Sequence, residues 1–207
     1  MRTSINPYSR RYLALYSYNG SQYHGMLNPV EPNVNKKGIL NVIEDSLQRF
    51  NKKQYNIATK IRGASRTDVG VHALCNAFTF DASDDHENRK LFQTEDLRRG
   101  MNAHFSMNQE KIQINQLHLL KDPWFDCRGA PLERTYIYKI ILTNDGPMGY
   151  SCPHTMFLKD FAWNINSSEI NLDKFMEGAK LFEGTHSFKH FVKIKLDEVS
   201  LASLSKL

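Results

Sequence analysis

From Arg11 to Tyr18 the side chains alternate and carry Tyr and Leu, and this period of two predicts a β-strand closed by the turn signal Asn19-Gly20. After a loop carrying Pro29 and Pro32 the period changes. Ile39, Val42, Ile43, Leu47 and Phe50 recur at helical spacing behind Gly38, with Glu44, Asp45, Gln48 and Arg49 on the other side. That is an amphipathic helix covering a sheet. Asn56 to Arg62 and Val71 to Phe80 read as a second and a third strand, followed by the exposed polar stretch Asp81 to Arg89. A helix is expected to start at Thr94, where Glu95 and Asp96 suit a first turn, with Leu97 and Met101 facing inward. Ile112, Ile114 and Leu117 continue as a strand, so the first part reads β, α, β, β, α, β.

The second part opens with Thr135 to Leu142, where Tyr136, Tyr138 and Ile140 alternate with Ile137, Lys139 and Ile141. The pattern predicts a strand buried on both faces. A turn near Asn144 to Pro147 and a less regular region lead to a helix from Leu172 to Phe182, with Phe175, Met176 and Ala179 inward and Gly184 as terminator. The whole predicts an α+β protein of two halves, residues 1–120 and 121–207, sharing a sheet.

Composition narrows the classes. The 207 residues are 41% hydrophobic and 24% charged, as in soluble globular proteins. No apolar run approaches the roughly 20 residues that cross a bilayer, and no secretory h-region opens the chain, so neither secretion nor membrane insertion is expected. Cys75, Cys127 and Cys152 are too few and too scattered for a disulfide framework, which fits a reducing compartment. His72 and Cys75 have H-x-x-C spacing, but without a second pair no metal site is expected. The formal charge is +5, and residues 1–30 hold no acid while carrying Arg2, Arg10 and Arg11. Such a start suits phosphate contact or a short targeting segment, and equally a solvated surface.

The chemistry concentrates in Ser65-Arg66-Thr67-Asp68-Val69-Gly70-Val71-His72-Ala73, at the entrance to the third strand. In extended backbone, side chains two apart project to one side, so Arg66 and Asp68 are expected to form a charge-assisted pair. A neighbouring guanidinium favours the ionised carboxylate and keeps it available as a nucleophile. On its own, such a triplet is usually a loop ion pair.

The longer string closely resembles the G-R-T-D-A-G-V-H-A signature of the TruA family of tRNA pseudouridine synthases, with Ser65 and Val69 as departures. Four further segments resemble family motifs in the same order. Tyr18-Asn19-Gly20-Ser21-Gln22-Tyr23-His24-Gly25 is similar to Y-D-G-S-x-Y-x-G, and Trp124 to Arg128 stands where the family has F-H-A-R-F. Arg134-Thr135-Tyr136-Ile137-Tyr138 resembles R-x-Y-x-Y, and Phe182 to Phe188 resembles G-x-H-D-F.

The resemblance implies a pseudouridine synthase fold, a mainly antiparallel sheet flanked by helices with a central cleft. It implies isomerisation of uridine to pseudouridine in tRNA or related structured RNA, without cofactor or metal. Asp68 would be the nucleophile, Arg66 its partner, and Tyr136 a ring packed on the flipped base with its hydroxyl near the proton transfers. His72 and Thr67 would join Tyr136 in binding substrate. His72 also reads as a histidine satisfied by backbone, and His186 as a helix-terminal hydrogen bond. Lys36, Lys37, Lys52, Lys53, Lys60 and Arg62 would supply an electropositive surface for RNA. A homodimer is implied, and a mitochondrial location, with cytoplasm or nucleus as the alternative.

Departures from the pattern point elsewhere. Gly25 is followed by Met26-Leu27 where the family commonly has F-Q, which points toward the eukaryotic pseudouridylate synthase-like branch. Gly129-Ala130-Pro131 precedes Arg134, and Ser187 replaces the acid of G-x-H-D-F. No segment resembles the family's F-L-Y-H-M-V-R motif before Leu207, so the second half is expected to be truncated. The alternative function is then an RNA-binding module that is catalytically weak or inactive.

Overall fold

A computed structural model of the chain describes residues 9–29, 35–50, 56–57, 61–83, 93–144 and 153–191. By its internal contacts the chain divides into two compact units, Met1–Thr135 and Tyr136–Leu207.

The first unit is organised around strand β1, Ser9–Tyr18, whose buried positions fall at every second residue from Tyr12 to Tyr18. It is followed by a short 3-10 turn, Gly20–Gln22, and helix α1, Ile39–Gln48. Short strands β2, Asn56–Ile57, and β3, Arg62–Gly63, both pair with β4, Ala73–Ser83. Helix α2, Thr94–Met107, leads into β5, Ile112–Leu119. The sheet order is β2-β4-β1-β5, with β3 also on β4, and all pairings are antiparallel. The α+β class and the antiparallel sheet with flanking helices are as expected.

One hydrophobic cluster joins Tyr12, Tyr16 and Tyr18 of β1 to Phe78 and Phe80 of β4, Ile112 and Ile114 of β5, and the apolar faces of both helices. Ile39, Val42, Ile43 and Leu47 of α1 and Leu97 and Met101 of α2 are buried as their spacing predicts. Rings reinforce the sheet across strands: Tyr12 stacks on Phe80 with centroids 5.1 Å apart, and Tyr16 meets Phe78 edge-on at 5.3 Å. The register of β1 shifts against β4 between Tyr16 and Tyr18, and against β5 between Leu15 and Tyr16. These irregularities bend the end of β1 that meets the Ser65–Ala73 motif.

On the other face, the segment after β5 is tied down. Arg11 makes a two-pronged bond to the Asp81 carboxylate at 2.8 and 2.7 Å and donates to the Phe125 carbonyl at 2.9 Å. Arg62 pairs with Asp126, and the Cys127 thiol donates to the Arg62 carbonyl at 3.0 Å. The Trp124 to Arg128 motif is thus a clamp across β1, β3 and β4.

Three strand and helix expectations change. The stretch Asn56 to Arg62 is two short strands, with residues 58–60 outside the described residues. Most of the polar stretch after Ser83 also lies outside them, and Asp81 belongs to β4. The Thr135 to Leu142 strand shrinks to β6, Ile140–Thr143. Among the described residues, 135–138 make no strand pairing, and Tyr136, Ile137 and Tyr138 are exposed: alternation alone cannot supply a neighbouring ladder.

The second unit pairs β6 in parallel with β7, Trp163–Asn166, across helix α3, Pro153–Leu158. Helix α4, Leu172–Lys180, is capped by Asn171, whose side chain accepts from the Lys174 amide at 2.9 Å. Phe175, Met176 and Ala179 are exposed, not inward. Among the described residues of this unit, Ile165 is the one buried hydrophobic side chain. The helix pattern identified an apolar face, but no described element covers it. None of the helices among the described residues is long and apolar enough to cross a membrane.

In the first unit the side chains of Tyr12, Ser46 and His104 hold buried polar atoms with no partner among the described residues. The Tyr12 hydroxyl is buried and finds no partner among the described residues. Tyr12→Phe should therefore leave stability unchanged or raise it by about 1 kcal/mol in urea unfolding; a clear loss would reveal a missed partner. Both ring nitrogens of His104, in the last turn of α2, are likewise buried without partners there. Burial first, and the Arg49 charge second, push the imidazole below its ordinary 6.5, so the neutral ring is the folded form. Stability present above pH 6.5 is lost as the pH falls from 6.5 through the lowered folded value. His104→Leu should remove that part of the acid slope in urea melts compared between about pH 7 and about pH 5.

Candidate active site in the Asp68 loop

Residues 64–72 connect β3 to β4 and carry four of the five predicted site residues, Arg66, Thr67, Asp68 and His72. The loop is fastened along its whole length. The Ala64 amide donates to the Ala77 carbonyl at 2.8 Å, and the Asn76 side-chain amide donates to the Ser65 carbonyl at 3.4 Å. Met26 N–H donates to the Thr67 carbonyl at 3.2 Å. Val71 N–H returns to the Asp68 carbonyl at 3.2 Å, closing a turn in which Gly70 has φ 79°. The Gly20 amide donates to His72 Nδ1 at 3.1 Å.

The other wall of this arrangement is the segment after β1. A β-carbon on Gly20 would overlap the Val71 carbonyl. Gly25 has φ +78°, and a β-carbon there would stand 2.8 Å from the Thr67 carbonyl oxygen and 3.1 Å from the Asp68 carbonyl carbon. Glycine is therefore required at both positions, at Gly20 by close approach and at Gly25 by conformation as well. The same segment meets α1: Ile39 and Leu40 donate to the Gly25 and Met26 carbonyls, both at 3.0 Å. These carbonyls satisfy helix-end amides that Gly38 has no side chain to cap. Helix, glycine segment and Asp68 loop form one hydrogen-bonded stack.

Within the loop, exposure alternates: Arg66 and Asp68 are exposed and Thr67 between them is half-buried. Thr67 Oγ1 lies 2.7 Å from the Tyr18 hydroxyl, and the Asn76 amide reaches that hydroxyl at 3.5 Å. Burial pushes the Tyr18 phenol up, against the opposing hydrogen bonds from Thr67 and Asn76, so the group acts as a neutral hydroxyl. The expected Arg66–Asp68 ion pair is not formed among the described residues. Both side chains face water, where such a pair is worth little.

Thr67 and His72, expected to touch substrate, have Oγ1 and Nδ1 engaged inside the protein. For His72 this matches the backbone-satisfied alternative. Tyr136, the fifth residue, belongs to the second unit and is 78% exposed. His186 approaches the Glu183 carbonyl through Nε2, the helix-terminal contact anticipated for it.

The basic residues are partly committed locally. Lys37 pairs with Asp45, Arg62 with Asp126, and Lys36 donates to the Ser21 carbonyl at 3.2 Å. Lys52, Lys53 and Lys60 lie outside the described residues. A polar cleft of about 440 Å³ lies at the α2–β5 turn between Asn102 and Gln113, and it contains none of the predicted site residues. Among the described residues, no group of three or more His, Cys, Asp or Glu side chains is arranged to hold a metal ion.

Sequence reasoning missed Tyr18 and Asn76 as supports of the loop. A signal existed for Asn76, a polar residue inside an apolar strand. For Tyr18 the signal was its place at the head of the Tyr18 to Gly25 motif, which did not reveal that its hydroxyl reaches Thr67.

A sequence profile described as tRNA pseudouridine synthase matches residues 14–121, just over half of the chain. This chain belongs to the TruA family of tRNA pseudouridine synthases. Among relatives, tRNA pseudouridine synthase A of Dictyoglomus turgidum is 30% identical over 175 residues, 84% of this chain and 61% of that protein. Proteins named tRNA pseudouridine synthase-like 1 are 27% identical in Mus musculus, over 87% of this chain and 58% of theirs, and 30% identical in Xenopus laevis, over 87% and 56%. The chain thus spans about three-fifths of the length of these curated relatives. In TruA-family terms, the Asp68 loop and its glycine wall fall inside the matched segment, and Tyr136 falls outside it.

The stack makes Gly25 a test of the geometry. Gly25→Ala should cost about 2 kcal/mol or more in urea unfolding, through positive φ and the close Thr67 carbonyl. An unchanged midpoint would mean that the segment and the loop are not in contact.

Proposed function

We propose that this protein isomerises uridine to pseudouridine in tRNA or a related structured RNA, with Asp68 as nucleophile. The observation that supports this most is the Asp68 loop itself: a family signature whose one exposed carboxylate stands on a loop fastened by four hydrogen bonds to its backbone and two to the Thr67 and His72 side chains. Preorganised loops of this kind place a reacting group without ordering cost at the moment of reaction.

In the proposed reaction the Asp68 carboxylate bonds to C1′ as the N1–C1′ bond of the uridine breaks and its electron pair leaves on N1. The uracil turns in place, C5 bonds to C1′ as the Asp68–C1′ bond breaks and the carboxylate is restored, and the proton lost from C5 is matched by one taken up at N1. Atoms and electrons balance within the nucleotide, so the chemistry calls for no cofactor. Arg66, exposed beside Asp68, is available to hold the nucleotide out of its stack through its phosphate. Tyr136 offers an exposed ring for base stacking and a hydroxyl for proton transfer. The family resemblance extends the proposal to a homodimer. The resemblance to the eukaryotic branch extends it to a mitochondrial location, with cytoplasm or nucleus as the alternative.

A second reading has its own support. The second unit buries one hydrophobic side chain among its described residues, and Tyr136 is far from enclosed. A protein that holds RNA without turning it over fits those observations. Release of tritium from tRNA labelled at uridine C5 separates the readings. The enzyme should release label, and Asp68→Asn should slow release at least about a thousandfold while RNA binding is kept. Binding with no release by the parent chain favours the second reading.

A further inference from the structure

The loop that carries Asp68 rests on a polar chain enclosed by the core. Tyr18 is 5% exposed and Asn76 8% exposed, although each carries hydrogen-bonding groups. Asn76 stands opposite Tyr16 in the β1–β4 register, and the shift between Tyr16 and Tyr18 brings the Tyr18 hydroxyl to the rim of the core. There the Asn76 amide reaches it at 3.5 Å and Thr67 Oγ1 at 2.7 Å. The same amide reaches the Ser65 carbonyl at 3.4 Å. One buried asparagine thus binds both the loop backbone and the hydroxyl that holds the loop side chain.

Thr67 is gripped twice. Its side chain faces Tyr18 and its carbonyl accepts from Met26 N–H at 3.2 Å. Threonine is stiff at χ1, so fixing its hydroxyl also fixes its backbone. With Thr67 turned inward, its neighbours Arg66 and Asp68 are both left exposed. The one side chain of the triplet that does not face solvent therefore sets the direction of the two that do.

We propose that Thr67 is a positioning residue for the reaction, acting through Tyr18 and Asn76: this anchor fixes the direction in which Asp68 is presented. It rests on the reading of Asp68 as nucleophile, and it assigns Thr67 a role in geometry instead of in contact with RNA. Tyr18→Phe removes a single oxygen and keeps the buried ring, and Thr67→Val removes the hydroxyl at the other end of the bond.

Two readouts test it on the full chain. Amide hydrogen exchange by NMR should show Met26 and Val71, which donate to the Thr67 and Asp68 carbonyls, exchanging about 3- to 10-fold faster in either variant. Ile39 and Leu40, bonded to Gly25 and Met26, should stay within about 2-fold and so report that the fold is kept. In the tritium-release assay, kcat should fall about 10-fold or more with KM for tRNA little changed, and Thr67→Ser should recover most of it. Combining Tyr18→Phe with Thr67→Val should add little to either alone, because both break one bond. Unaltered exchange at Met26 and Val71 overturns the anchor. Faster exchange with unaltered kcat, or failure of Thr67→Ser to recover activity, overturns its positioning role. If the parent chain releases no tritium, the proposed reaction has failed, and the positioning role falls with it; the exchange data then judge the anchor by itself.

Discussion

The absence of two β-carbons shapes this molecule. Where the backbone of Gly20 and Gly25 passes the loop at Thr67 to Val71, no side chain fits between them. The close passage lets Met26 N–H reach the Thr67 carbonyl and the Gly20 amide reach His72. It also lets the Gly25 and Met26 carbonyls cap the start of α1. A loop that would otherwise be the mobile part of a small α+β unit becomes an extension of its core. The cost of ordering the Asp68 loop is met when the chain folds.

This constraint explains why the two conspicuous motifs of the first unit belong together. Tyr18 to Gly25 is the wall and Ser65 to Ala73 is what it supports, held side by side by the β1–β4 pairing. The register shifts at the end of β1 bring the Tyr18 hydroxyl to Thr67. The Arg11–Asp81 and Arg62–Asp126 pairs perform a different task, closing the opposite face with the Trp124 to Arg128 segment.

Much of the first unit was legible because its elements are one-sided. Ile39, Val42, Ile43 and Leu47 announce a helix with a single buried face, and α2 behaves likewise through Leu97 and Met101. The second unit was misread for the converse reason. Phe175 and Met176 mark an apolar face, and Tyr136 to Tyr138 alternate like a strand, but a pattern states what a segment could bury and not whether a neighbour is there. At the site, spacing suggested an Arg66–Asp68 ion pair, whereas both side chains are exposed and unpaired with each other, in water where such a pair is worth little. The Tyr18–Thr67–Asn76 anchor was invisible because it joins residues from three separate segments through single hydroxyl and amide groups.

A preordered Asp68 loop is the claim on which fold and function meet, and backbone 15N relaxation on the RNA-free chain measures it directly. Order parameters at Thr67, Asp68 and Val71 should match the rigid strands β1 and β4, near about 0.85. Values below about 0.6 at those amides, with the strands still rigid, would contradict it.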